Sequence, residues 1–162
     1  MNDLGRIKEA LEVAAHAIRP FTPGAVAFAE KSSRGDPVTA ADLAANEALL
    51  ESLLADGEGW LSEETADSPD RLEKRRVWVV DPLDGTREFV DGIPEWCISV
   101  GLVEDGEPVA GGILSPTTDL LVLGSVEDGV FVNGKPAGRF ARKELDGAVI
   151  LASRSEWKRG EW

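Results

Sequence analysis

The chain has 162 residues, 43% hydrophobic and 29% charged, with a formal net charge of −13. This length and composition support one globular domain with a true core, and the acidic balance argues against partners such as nucleic acid polymers or anionic membranes. Cys97 is the only cysteine and His16 the only histidine, which excludes an internal disulfide, a cysteine-rich zinc site and a histidine-based triad.

Residues 3–18 place Leu4, Ile7, Leu11 and Ile18 at helical spacing, and Pro20 follows. The pattern predicts an amphipathic helix that stops there. AVAFAEK reads as a short extended piece, and SSRGDP as a turn-rich link. A second helix is expected over roughly 40–55. Thr39 is its N-cap, and Asp42 stands three residues later, where a carboxyl group meets the free N–H groups of the first turn. Leu43, Leu50 and Leu54 read as its shared apolar face and Gly57 as its end.

Strands follow. GWLSEE is short and apolar before its two acids, and RVWVVD is the near-continuous apolar run of a buried strand. RLEKRR at 71–76 reads as a solvated turn. WCISVGLVEDGEPVAGGILSP predicts two strands around a turn at Glu104–Glu107, and DLLVLGSVEDGVFVNG a second pair turning near Asp128-Gly129. GAVILASRS is a last strand candidate. From residue 76 to 134 there is little room for crossover helices. The expected architecture is therefore α+β, with two N-terminal helices packed on a largely antiparallel sheet in one domain spanning 1–162. No apolar run is long enough to span a membrane, and the expected location is the cytoplasm.

With histidine and cysteine nearly absent, chemistry falls to carboxylates, hydroxyls, backbone and a hard cation. Glu63 and Glu64 end one strand, Asp81 and Asp84 follow the next, and Asp42 opens a helix. Close carboxylates repel unless protons or cations intervene, and oxygen-only donors suit Mg²⁺. Gly85 lets backbone approach a phosphate, and Thr86 supplies a hydroxyl able to orient water. Spacing alone leaves two readings. DPLDG is also an ordinary turn composition, and Asp42 alone is helix-capping electrostatics.

Taken together, VTAAD at 38–42, LSEET at 61–65 and DPLDGT at 81–86 closely resemble, in order and separation, the signature of the inositol monophosphatase superfamily. DPLDGTREF resembles the branch of the bisphosphate nucleotidases of CysQ type. The resemblance implies the N-terminal lobe of a layered αβαβα phosphatase fold. It implies a Mg²⁺-dependent phosphomonoesterase acting through metal-activated water on an inositol monophosphate or a 3′(2′),5′-bisphosphate nucleotide. It makes Glu63, Asp81, Asp84 and the carbonyl of Leu83 metal ligands. Asp42, Glu63 and Thr86 become the catalytic groups, and Gly85, Thr86 and Lys31 the substrate-side residues. Ser62 departs from the glycine usual at its position. The family's second lobe, with a further aspartate, has no counterpart here. The alternative is therefore a catalytically incomplete metal-binding or assembly domain, and the expected partner is a second copy in a homo-oligomer or a C-terminal complementing fragment.

Overall fold

In the computed structural model, residues 2–30, 37–138, 144–149, 151 and 153–161 are described. The first helix, α1 (Asp3–Ile18), is capped by the Asn2 side chain, which accepts from the Gly5 N–H at 2.9 Å. It buries Ile7, Ala10, Leu11, Ala14 and Ile18, the one-sided stripe that its spacing predicts. Two short antiparallel strands, β1 (Phe28–Glu30) and β2 (Pro37–Thr39), lead into α2 (Ala40–Leu53). The Thr39 cap stands where expected, as half of a complete capping box with Asp42.

The buried face of α2 differs from the expected one. Ala41, Asp42, Ala45, Leu49 and Leu53 point inward, whereas Leu43 is 54% and Leu54 40% exposed. Small residues on both helices share the core, Ala10 and Ala14 with Ala41 and Ala45, and alanines let two helix backbones approach closely. The size of the leucines misdirected the sequence reading. The helix also ends before Gly57, which supplies a left-handed turn (φ 86°) three residues after the Leu54 C-cap.

Among the described residues, the main sheet has seven strands in sequential order. They are β3 (Gly59–Ser62), β4 (Arg76–Asp84), β5 (Cys97–Glu104), β6 (Glu107–Ser115), β7 (Leu120–Ser125), β8 (Gly129–Val132) and β9 (Lys135–Pro136). Every pairing is antiparallel except β3 with β4, which run parallel. That connection is made through a 3₁₀ segment, Pro69–Glu73. Along β5, Ile98, Val100 and Leu102 are buried and alternate with half-buried residues, as in a sheet with one face on the core. Trp78 and Val80 of β4 lie on that inner face with the two helices. The opposite face carries a cross-strand row, Val79–Gly101–Gly111–Gly124–Val130, read directly from the register.

Three further differences from expectation concern local segments. β4 does not stop at Asp81 but runs on to Asp84, and a short helix, α3 (Thr86–Val90), starts at once. RLEKRR is not merely solvated, because Arg76 bonds Asp3 and Glu104 at 2.6 and 2.7 Å. Of the candidate strand GAVILASRS, the described residues before Arg154 form no strand. A last helix, α4 (Arg154–Arg159), follows.

Candidate active site

Three strand or helix ends meet at one margin of the sheet. The parallel register pairs Ser62 with Val80, so Glu63 and Asp81 are the next residues along two neighbouring strands. In a regular strand, residues three apart face opposite sides. Asp81 and Asp84 escape this because β4 is irregular between them. Asp81 pairs with Ser99 and Asp84 with Cys97, so three residue steps on β4 match two on β5. This is the count of a β-bulge, which inserts one residue and re-aims those beyond it. The bulge absorbs Pro82 and Leu83, both buried, and brings the two aspartates to one side. Proline is tolerated there because a bulge needs one ladder donor fewer.

Asp42 arrives from the helix layer. It is fully buried, and its carboxyl is held from two sides. Oδ2 accepts from Thr39 Oγ1 at 2.5 Å and from the Thr39 N–H at 2.8 Å. Oδ1 accepts from Thr86 Oγ1 at 2.8 Å, across 44 residues of sequence. Thr86 Oγ1 also lies 3.0 Å from the Leu83 carbonyl oxygen. A threonine hydroxyl has one hydrogen, so it serves one of these acceptors at a time. When the Leu83 carbonyl is engaged elsewhere, the hydrogen goes to Asp42. The Leu83 N–H in turn donates to Asp81 Oδ1 at 3.2 Å, which steadies the turn within the bulge.

Gly85 joins β4 to α3. It is left-handed (φ 93°), and a Cβ there would stand 2.9 Å from the Glu95 carbonyl oxygen and 3.2 Å from Trp96 Cα. Only glycine satisfies both demands. No side-chain hydrogen bond caps α3 at Gly85.

Cys97 sits across from Asp84, its Sγ 3.8 Å from Asp84 Oδ2. Burial, with the charges of Asp84 and Asp81 added to it, pushes this thiol up to about 11. A thiol held this high is a weak nucleophile at neutral pH.

Asp81 and Asp84 as carboxylates, and Leu83 as a carbonyl, make an all-oxygen donor set that fits a hard divalent cation. Among the described residues, no group of three or more His, Cys, Asp and Glu side chains stands together in a metal-holding arrangement. The fit is thus one of donor chemistry, with Glu63 exposed one residue past the last β3–β4 pair, Ser62 with Val80. Lys31 lies outside the described residues.

Sequence reasoning overlooked a second polar cluster. Asn46 lies one helical turn beyond Asp42 on α2. Its Oδ1 accepts from Ser62 Oγ at 2.6 Å, and its Nδ2 donates to Thr65 Oγ1 at 3.1 Å. The sequence offers only that Asn46 stands four residues after Asp42, on the same side of the helix.

The inositol monophosphatase family model matches residues 3–160, and the chain belongs to that family. An inositol-1-monophosphatase of Caulobacter vibrioides is 34% identical over 124 residues, covering 74% of this chain and 48% of that protein. The 3′(2′),5′-bisphosphate nucleotidase CysQ of Salmonella typhimurium is 41% identical over 88 residues, covering 52% of this chain and 36% of that protein. Among solved structures, the extragenic suppressor protein suhB of Bartonella henselae superposes with a TM-score of 0.77 at 28% identity. That match covers 87% of this chain and 55% of the other. A Thermotoga maritima IMPase gives 0.74 at 28% identity, covering 84% and 53%. The chain therefore spans about half the length of these solved relatives, and 36–48% of the two curated ones.

Proposed function

We propose that the chain carries the catalytic half of a Mg²⁺-dependent phosphomonoesterase, as one domain over 1–162. Its substrate class is a small phosphorylated molecule, an inositol monophosphate or a 3′(2′),5′-bisphosphate nucleotide. The observation that carries this reading is the hydrogen bond from Thr86 to the buried Asp42, beside the bulge that turns Asp81 and Asp84 to one side. Glu63, Asp81, Asp84 and the Leu83 carbonyl would hold the cation, which supplies Lewis acidity and a lowered water pKa. The protein's own part is orientation and proton handling. Thr86 Oγ1 accepts a hydrogen from the attacking water while passing its own toward Asp42 Oδ1, and Asp42 is kept in place by two bonds from Thr39. The backbone at Gly85 and Thr86, with Lys31, receives the phosphate.

Turnover is read as Mg²⁺-dependent phosphate release from inositol phosphates and from adenosine 3′,5′-bisphosphate. Asp81→Asn and Asp84→Asn are expected to lower it at least about 100-fold while the circular dichroism spectrum stays native. Wild-type rates in either variant would remove the assignment.

A second reading is favoured by what the sheet leaves open. Val79 is 38%, Ile113 42% and Val130 51% exposed on the face away from the helices. Leu145, Val149, Leu151 and Trp157 are exposed too. Apolar side chains left open on one face of a sheet suit an interaction surface. On this reading the domain assembles as a homo-oligomer, or works only with a complementing C-terminal fragment. Phosphate release that appears only when such a fragment is added would favour it. Among the described residues no helix is long and apolar enough to cross a membrane.

A further inference from the structure

Ser62 is one of only three buried polar residues among those described, 6% exposed, and the other two are Thr39 and Asp42 of the capping box. A buried hydroxyl must be satisfied, and this one is satisfied on both sides. It donates to Asn46 Oδ1 at 2.6 Å and accepts from the Glu64 N–H at 3.2 Å. Asn46 completes the loop of bonds through Nδ2 to Thr65 Oγ1. Three residues of the 62–65 turn are therefore tied, directly or through one another, to a single side chain of α2.

That side chain stands four residues after Asp42. Residues four apart lie on the same side of a helix, about 6 Å along its axis. One side of α2 thus carries two polar grips, one per turn. Asp42 holds the 83–86 segment through Thr86, and Asn46 holds the 62–65 turn through Ser62 and Thr65. The helix acts as a ruler between the two acidic segments. Hydrogen bonding along a sheet fixes neighbouring strands only as far as their last pair, here Ser62 with Val80. Glu63 lies one residue past that pair, within the turn that Ser62 and Asn46 hold.

We infer that Ser62 and Asn46 form a positioning clamp for Glu63. The clamp fixes the backbone of the 62–65 turn that carries Glu63, so that cation binding does not have to order the turn. Ser62 and Asn46 touch neither substrate nor cation. Their effect passes through the turn. The inference rests on the proposed function in taking Glu63 as a cation ligand.

The test uses Mn²⁺ alone as the probe, titrated into the whole chain and followed by the electron paramagnetic resonance signal of the free ion. Glu63→Gln serves as the reference. Ser62→Ala and Asn46→Leu are each expected to weaken Mn²⁺ binding about 3- to 10-fold, the effect of one lost hydrogen bond transmitted to a ligand. The double variant should be within about 2-fold of the weaker single one, because the two residues act as one unit. Ser62→Thr, which keeps the hydroxyl, should restore binding to within about 2-fold of wild type. If Asn46→Leu does not fold, Thr65→Val removes the exposed arm of the same network and should weaken binding in the same direction. Full-strength Mn²⁺ binding in the clamp variants, with weakened binding in Glu63→Gln, overturns the clamp and leaves the functional reading standing. Multiplicative effects in the double variant also overturn it. Unchanged binding in Glu63→Gln overturns the functional reading of Glu63, and the clamp falls with it.

Discussion

A fully buried carboxyl group is costly unless its lone pairs are met. Asp42 meets them with the Thr39 N–H and the hydroxyls of Thr39 and Thr86. The same three bonds cap a helix and hold Thr86, so one residue serves the fold and the site together. Gly85 is constrained as tightly. Its positive φ and the Glu95 carbonyl at 2.9 Å from an added Cβ act in the same direction. Gly85→Ala should destabilise the protein by about 2–3 kcal/mol, read as a lower urea midpoint. Gly106 supplies the control. Its φ is 85°, yet nothing lies within 4 Å of an added Cβ, so Gly106→Ala should cost only the backbone strain, about 1 kcal/mol. Equal losses in the two variants would show that the close approach at Gly85 carries no cost of its own.

At the scale of elements, what could be read from sequence was what periodicity and caps determine locally. α1, the Thr39 cap and the hairpins β5–β6 and β7–β8 follow from residue spacing and turn chemistry. The inward face of α2 does not, because Ala41 and Ala45 are chosen by the neighbouring α1 and carry little hydrophobic signal of their own. The continuation of β4 through Asp84 was hidden for a related reason. Proline and two acids argue against a strand, and only the long-range register with β5 reveals the bulge that accommodates them. Of the candidate site, the acidic positions and Thr86 were singled out through the resemblance, whereas the bonds of Asn46 to Ser62 and Thr65 exist only once α2 packs on the sheet. Gly112 shows the same dependence on a neighbouring layer. A Cβ there would stand 2.7 Å from both Ile7 Cγ2 and Leu123 Cδ2, and 3.0 Å from Leu11 Cδ1, so α1 rests on β6 where a side chain is missing. Gly112→Ala should destabilise the protein by about 1–3 kcal/mol through overpacking, seen as a lower melting temperature. A stability equal to wild type would mean that α1 shifts at no cost.

The two layers of the whole molecule are also joined by charge. Glu58, in the connection from α2 to β3, accepts from Arg6 of α1 at 2.8 and 3.1 Å, from Arg76 of β4 at 3.3 Å, from the Trp78 indole N–H at 2.8 Å and from the Ala55 N–H at 3.2 Å. Arg6 lies over the Trp78 ring, 4.9 Å from its centroid, and Arg76 reaches on to Asp3 and Glu104. Burial pushes the Glu58 carboxyl up, but the bonds from Arg6, Trp78 and Ala55 outweigh it and hold the group at about 2 instead of 4.5. With only 9% of its side chain exposed, little of this is screened by water. The folded value lies below the unfolded one. The contribution to stability is therefore complete above the unfolded value and is lost as pH falls toward the folded one. At pH 7, Glu58→Gln should unfold more easily than wild type by about 3 kcal/mol, the pKa difference expressed as free energy. By pH 3 the gap in urea-derived stability should shrink to about half of that, and it should close near pH 2. A gap of the same size at pH 3 and pH 7 would mean that the glutamate acts through packing and not through its charge. A gap that closes on this schedule would place a main joint between the helices and the sheet on one ionised group. The acid sensitivity of the fold would then be set at Glu58, 23 residues along the chain from Asp81 and 26 from Asp84.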